Sequence, residues 1–295
     1  MTSTHVPAAD DLDEYHTHHH VYVPHRTGIP SLQPYARALW DRRHFAAELS
    51  RSNIRAAHND TVFGRLWLVL NPLLLAVVYF LLVDILSGAS KDAAYFAHLL
   101  AGLFAYYFVA GCITTGASSV VGGGKLIMNT AFPRLLLPFS AVRTAFYRFL
   151  PTMIVYAALH VIAKRPITPV LLLAVPWFVM IALFAAGVGA FVGTIQVYFR
   201  DLSSFLPYFL RIWLYVSPVL FTVEAITTKF EKHHLMWLAY LNPLYSLVGG
   251  WSQILSEGKM PTLAVMGAAL TWGAFAFTAG SLFFMSRERE FAVRL

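Results

Sequence analysis

Residues 166–199 read PITPVLLLAVPWFVMIALFAAGVGAFVGTIQVYF, 34 residues without one charged side chain. A bilayer core about 30 Å thick takes roughly 20 residues of helix, so this stretch suffices for a tilted membrane helix and a turn. A soluble all-helical core would need helices with polar faces, and this stretch has none. The same reading extends in both directions. Residues 66–83, LWLVLNPLLLAVVYFLLV, carry no charge, and neither do residues 93–118 or 261–285. Residues 149–163 are apolar, with a helix start expected near Ser140, and residues 202–223 hold a single charge, Arg211. The expected fold is an all-α integral membrane protein with six transmembrane helices.

Composition agrees with this. The chain is 58% hydrophobic and 13% charged, about half the charge of an ordinary soluble domain. That apolar content excludes disorder over most of the length, and the single Cys112 excludes a disulfide scaffold. Residues 234–255, HLMWLAYLNPLYSLVGGWSQIL, are a seventh candidate broken by Asn242-Pro243, and Gly249-Gly250 is expected to weaken their end. Each half is too short to span, so residues 224–258 read as a broken external helical segment between spans 5 and 6, two short helices dipping into one side. With six spans, fifteen Lys and Arg fall on the side of the termini against six on the other. That bias predicts a plasma-membrane protein with both termini cytoplasmic. The net charge of +7 is then an orientation signal, and nucleic acid is not expected as a partner.

The organisation follows. Residues 1–34 form a polar tail expected to be flexible, with six of the 12 histidines and no spaced metal partners. No basic n-region followed by a short apolar stretch opens the chain, so a cleaved signal peptide is not expected. Residues 35–62 predict an amphipathic interface helix, with Tyr35, Leu39, Ala46 and Leu49 on one face and several arginines elsewhere. Residues 63–286 hold the spans, including a cytoplasmic coupling segment at 125–139, and residues 287–295 are read as a cytoplasmic tail.

Chemistry-bearing patterns are few. Gly122-Gly123-Gly124-Lys125 lacks the hydroxyl and the strand-to-helix context of a phosphate loop. No zinc motif, serine elbow or carboxylate pair stands out, so no catalytic, cofactor or metal residues are expected. His98 and His160 are isolated. The rings are more informative: Tyr79, Tyr106, Tyr107, Phe108, Tyr147, Tyr156, Tyr198, Tyr208, Phe209 and Tyr215 crowd few helices. Such rings can meet the C–H faces and hydroxyls of a sliding sugar polymer, or simply pack helices. Most tryptophans, Trp67, Trp177, Trp213, Trp237, Trp251 and Trp272, fall near span ends, as lipid anchors or packing residues do. Arg211 and Arg148 lie within spans, where a charge must face protein or water, or snorkel. Arg148 is assigned to snorkelling and Arg211 to function. Arg51, Arg55 and Arg65 are placed to meet a lipid pyrophosphate, since guanidinium forks fit phosphate oxygens. Arg200-Asp201 either pairs at a gate or ends span 4.

These motifs, taken in order, resemble the membrane subunits of ABC-2-type polysaccharide exporters. The resemblance rests on Gly64, Leu66, Trp67, Asn71, Pro72 and Leu73; on Phe132-Pro133 and Pro138; on Arg200-Asp201-Leu202; on Ser217-Pro218-Val219; and on Leu241-Asn242-Pro243-Leu244. It covers residues 35–290. Where many members carry an Arg-Tyr-Arg run before the glycine, this chain has Ala57-His58-Asn59-Asp60. The resemblance implies a homodimer of this chain with two ATP-binding subunits that hold the ATP and Mg, so this chain is not itself an enzyme. It implies export of a polyprenyl-pyrophosphate-linked glycan such as O-antigen, teichoic acid or galactan, and the chain is most similar to the mycobacterial galactan exporter subunit. Rival readings are an ABC-2 exporter of a small hydrophobic compound, an intramembrane enzyme acting on polyprenyl lipids, and a membrane scaffold without transport.

Overall fold

The computed structural model describes residues 28–58, 66–87, 93–232 and 234–295. The expected tail over 1–34 therefore falls almost wholly outside the described residues, as do Gly64 and Arg65. Two helices come first, α1 (Leu32–Asp41) and α2 (Arg43–His58). The single helix expected over 35–62 is thus divided at Arg42, although no Pro or Gly breaks it. The cause is tertiary: the Arg42 guanidinium donates to the Ala131 carbonyl, and the Phe45 and Phe132 rings meet at 5.0 Å between centroids.

Then come α3 (Trp67–Ser87), α4 (Ala93–Gly122), the short α5 (Gly124–Asn129), α6 (Leu136–Ile162) and α7 (Ala174–Tyr198). After the Arg200-Asp201 turn follow α8 (Leu202–Val216), α9 (Val223–Lys232), α10 (Met236–Leu241), α11 (Pro243–Ser252), α12 (Leu263–Arg287) and α13 (Phe291–Arg294). Among the described residues, five helices are long and apolar enough to cross a membrane: α3, α4, α6, α7 and α12, the last continuing into the tail. The segment expected as span 5 is helical for only 15 residues. At 1.5 Å per residue that is about 22 Å, short of a ~30 Å hydrocarbon core. Ser217-Pro218 stops it: absence of charge continues to residue 223, but the proline cannot continue the helical ladder.

Helix α4 is the axis of the bundle, with α6, α7, α8 and α11 packed around it, and α7 lies closely along α12. Close approach explains the glycines here. A Cβ on Gly187 of α7 would overlap the Ala276 carbonyl of α12, and one on Gly280 would overlap the Gly187 carbonyl. Helices α3 and α8 sit at the margin and expose much of their apolar surface, Leu74, Val78, Leu81 and Ile85 on one and Phe205, Tyr208, Ile212 and Tyr215 on the other.

At one end of the bundle the tail 287–295 is folded in. Phe291 is fully buried with Phe284, Ile127 and Leu135, and Tyr35 and Leu39 of α1 pack on the same cluster. The Tyr35 hydroxyl donates to Glu288 at 2.6 Å, and the Arg134 guanidinium donates to the Glu288 carbonyl. Burial, with the Glu288 carboxylate beside it, pushes the Tyr35 phenol well above its usual range, so it stays a neutral donor. This tail end ties α1, the 125–139 segment and α12 together.

The far end holds the broken segment, and its form differs from expectation. It comprises three short helices and a π-turn (Gln253–Glu257) rather than two helices. Gly249-Gly250 does not fray the end of α11. It lies inside the helix, where a Cβ on Gly250 would overlap the Trp177 ring. Residues 244–252 are all buried, so α11 fills the far end of the bundle instead of lying on it.

Candidate functional site

Helix α2 sets Arg51 and Arg55 four residues apart, one turn above the other on a shared face. The helix is held to α6 by the Thr144 hydroxyl, which donates to the fully buried Ser50 hydroxyl at 3.0 Å. Both arginines are exposed and border a cavity of about 450 Å³ with Leu68, Tyr147, Arg148 and Pro151. Arg51 also donates to Glu48 at 2.6 Å, a surface pair that contributes about 0–1 kcal/mol and yields readily to a stronger anion.

A second cavity, of about 400 Å³, lies between α3, α4, α6 and α8 and is bordered by Tyr79, Tyr106, Tyr107, Arg148 and Arg211. The Tyr106 hydroxyl donates to the Leu210 carbonyl, which fixes its ring against α8. Tyr79 and Tyr215 meet edge to face at 6.2 Å, as do Tyr106 and Tyr107 at 6.1 Å. Ring faces and phenols thus line this space, with one guanidinium from α8. A third cavity, of about 370 Å³, runs under Trp67, Asn71 and Pro72 of α3 to Tyr107, Phe108 and Arg148. Phe108 reaches it from a packed cluster with Phe149 at 5.5 Å and Phe178 at 4.8 Å.

The sequence-selected residues therefore divide. Arg51 and Arg55 share one cavity, and Arg211 shares another with Tyr79, Tyr106 and Tyr107. Arg65 and Gly64 lie outside the described residues. Tyr208 is exposed on α8, and Phe209 and Tyr215 border a groove of about 750 Å³ at the far end. Tyr198 stands apart: its hydroxyl donates to Glu290 at 2.6 Å and the Arg294 guanidinium covers its ring at 4.4 Å, so it belongs to the tail cluster. Arg200 and Asp201 lie in the turn between α7 and α8, with the Gln196 amide donating to the Arg200 carbonyl at 2.8 Å. Pro133 lies between α5 and α6, and Pro218 abuts Gly249 of α11. Arg148, assigned to snorkelling from sequence, borders all three of these cavities. Among the described residues no three His, Cys, Asp or Glu side chains gather to hold a metal.

The chain matches no family model. It is similar to the O-antigen export system permease protein RfbA of Klebsiella pneumoniae, 27% identical over 218 residues, which cover 72% of this chain and 80% of that protein. It is also similar to the O-antigen export system permease protein RfbA of Myxococcus xanthus, 29% identical over 266 residues, 87% of this chain and 97% of that protein. The chain is homologous to O-antigen export permeases.

In this permease homologue the far end is secured by indoles. Trp177 donates to the Leu247 carbonyl at 2.8 Å, Trp251 to the Ala101 carbonyl at 3.2 Å, and Trp272 to the Tyr240 carbonyl at 2.9 Å. Trp213 donates to Asn242 Oδ1 at 3.0 Å. These tryptophans pin the broken segment rather than anchoring lipid alone. Asn242 is the node: the same Oδ1 caps α11 by accepting from the Leu244 N–H at 3.1 Å, and Nδ2 donates to the Val216 carbonyl at 3.2 Å. Pro243 follows at the first helical position, where its missing N–H costs nothing. Asn242→Ala is expected to destabilise the protein by about 2–4 kcal/mol, from the lost cap and an unpartnered indole N–H. The thermal midpoint in detergent reads this directly, and an unchanged midpoint refutes it.

Proposed function

We infer that this chain is the transmembrane subunit of an ATP-driven exporter that carries a polyprenyl-pyrophosphate-linked glycan across the plasma membrane. Two copies pair through the exposed faces of α3 and α8 and associate with two ATP-binding subunits, which supply ATP and Mg. Six spans are completed by α8 with residues 217–222, and both termini are cytoplasmic. In this reading α1, α2 and the 125–139 segment meet the ATPases, with Lys125 and Met128 exposed at the tip. The broken segment gates the outer mouth. The glycan, O-antigen-like or a cell-wall galactan, slides along the ring wall of Tyr79, Tyr106, Tyr107 and Tyr215, whose flat faces offer stacking.

The observation that carries this reading is the pair of exposed arginines, Arg51 and Arg55, beside a cavity that shares a wall with the tyrosine-lined space. Replacing Arg51, Arg55 and Arg65 together by alanine is expected to lower glycan export at least about tenfold, because each lost charge-assisted contact is worth about 1.5–3 kcal/mol. The ATPase should still co-purify. Export at the parental level, measured as surface glycan, would reject the head-group role. Export of a small hydrophobic compound without glycan dependence would favour a drug exporter instead.

A further inference from the structure

Three cavities converge on one side chain. Arg148 borders the space of Arg51 and Arg55, the space of Arg211 and the tyrosines, and the space beneath Trp67 and Pro72. It sits about 18 Å along α6 from Leu136 at 1.5 Å per residue. Its Nε is buried without a hydrogen-bond partner, and no carboxylate pairs with it among the described residues. A guanidinium at that depth is costly unless it has an anion or water to face. Its surroundings are polar in a further way. Pro151 cannot donate to the Tyr147 carbonyl, nor Pro72 to the Leu68 carbonyl, and Tyr147 and Leu68 border the same cavity. Freed carbonyls at membrane depth are tolerated where they line a water-accessible space. Unlike an arginine that only reaches toward the membrane surface, this one stands where the three cavities meet.

We propose that Arg148 is a phosphate relay site, a guanidinium fork that receives a pyrophosphate head group from Arg51 and Arg55 and passes it toward Arg211. The inference rests on the export reading, and its chemistry is that of a phosphoanhydride, carried by a lipid or free in solution. The fork matters: two parallel N–H groups grip two phosphate oxygens, which a lysine cannot do.

The test uses the full chain with its ATPase in phosphatidylcholine nanodiscs, with farnesyl pyrophosphate, inorganic pyrophosphate and uncharged farnesol as probes. Arg148→Gln is expected to weaken farnesyl pyrophosphate binding on the order of tenfold or more, and Arg148→Lys by a lesser factor, with farnesol binding unchanged in both. Retained farnesol binding certifies that each variant is folded. Should Arg148→Gln lose it, Arg148→Lys decides the matter, and weaker farnesyl pyrophosphate binding there supports the fork. Preference of the wild-type protein for farnesyl pyrophosphate over inorganic pyrophosphate identifies a lipid head group as the occupant. Equal binding, lost together on substitution, supports the same site with a soluble anion. Farnesyl pyrophosphate binding that is equal in wild type and both variants overturns the relay and leaves the export reading standing. No binding of either pyrophosphate to the wild-type protein overturns the head-group reading itself.

Discussion

Gly187→Leu is expected to leave no folded protein. Gly187 meets the α12 backbone at Ala276 with no room for a Cβ, and Gly280 of α12 meets the Gly187 carbonyl in the same way. Without a hydrophobic drive between helices in lipid, such small-residue contacts are what hold a bundle together. Overpacking a core usually costs about 1–3 kcal/mol when side chains can shift. Here the obstacle is main chain, so α7 and α12 must separate along their length. Helix α7 is also close to α4, where Gly193 meets the Gly116 carbonyl, so the helix cannot retreat that way. The control is Gly267→Leu on α12, where nothing lies within 4 Å of a built Cβ. Size-exclusion profiles in detergent should show a monodisperse peak for Gly267→Leu and aggregate for Gly187→Leu. Two matching monodisperse peaks would refute the argument.

Phe291→Ala should release the tail. The ring is completely buried and packs edge to face on Phe284 at 5.1 Å. Truncating a buried phenylalanine typically costs about 3–5 kcal/mol. The loss is local before it is global, because residues 287–295 are held by this ring together with a few polar ties: Tyr35 to Glu288, Tyr198 to Glu290, and Arg134 to the Glu288 carbonyl. Limited trypsin digestion reads it, since Arg287 and Arg289 flank the tie. The variant should be cut there many times faster than the parent. Equal cutting rates would mean that the ring does not hold the segment.

The long spans were legible because absence of charge over 20 or so residues has one physical meaning. The 15-residue α8 was not, since apolar composition runs past the proline that ends the helix. The division at Arg42 was invisible for a different reason: its cause is Ala131, 89 residues away. Gly249-Gly250 was read by helix propensity, yet the decisive fact is the Trp177 ring lying against it. Within the site, sequence located every arginine but not the cavities between them, and so ranked Arg148 below Arg211. Depth along a helix can be counted from residues. Which neighbouring hollows a side chain opens into cannot. Residues 287–295 were read only as a tail because Phe291, Ala292 and Leu295, which pack on the cluster, show no periodicity in so short a stretch.

The tie between Tyr35 and Glu288 also has a consequence in time. Its two ends are 253 residues apart in the chain. At a synthesis rate of about 5–20 residues per second, Tyr35 is made on the order of ten seconds to a minute before its acceptor exists. From the moment they are made, Ile127 and Leu135 lack the ring of Phe291 that later covers them. The membrane helices α3, α4, α6 and α7 can be inserted in order while this surface stays unfinished. Of the described parts, the platform at the tail end is therefore among the last to mature on the ribosome, and an associating subunit that requires it can recognise only a chain already made through residue 291.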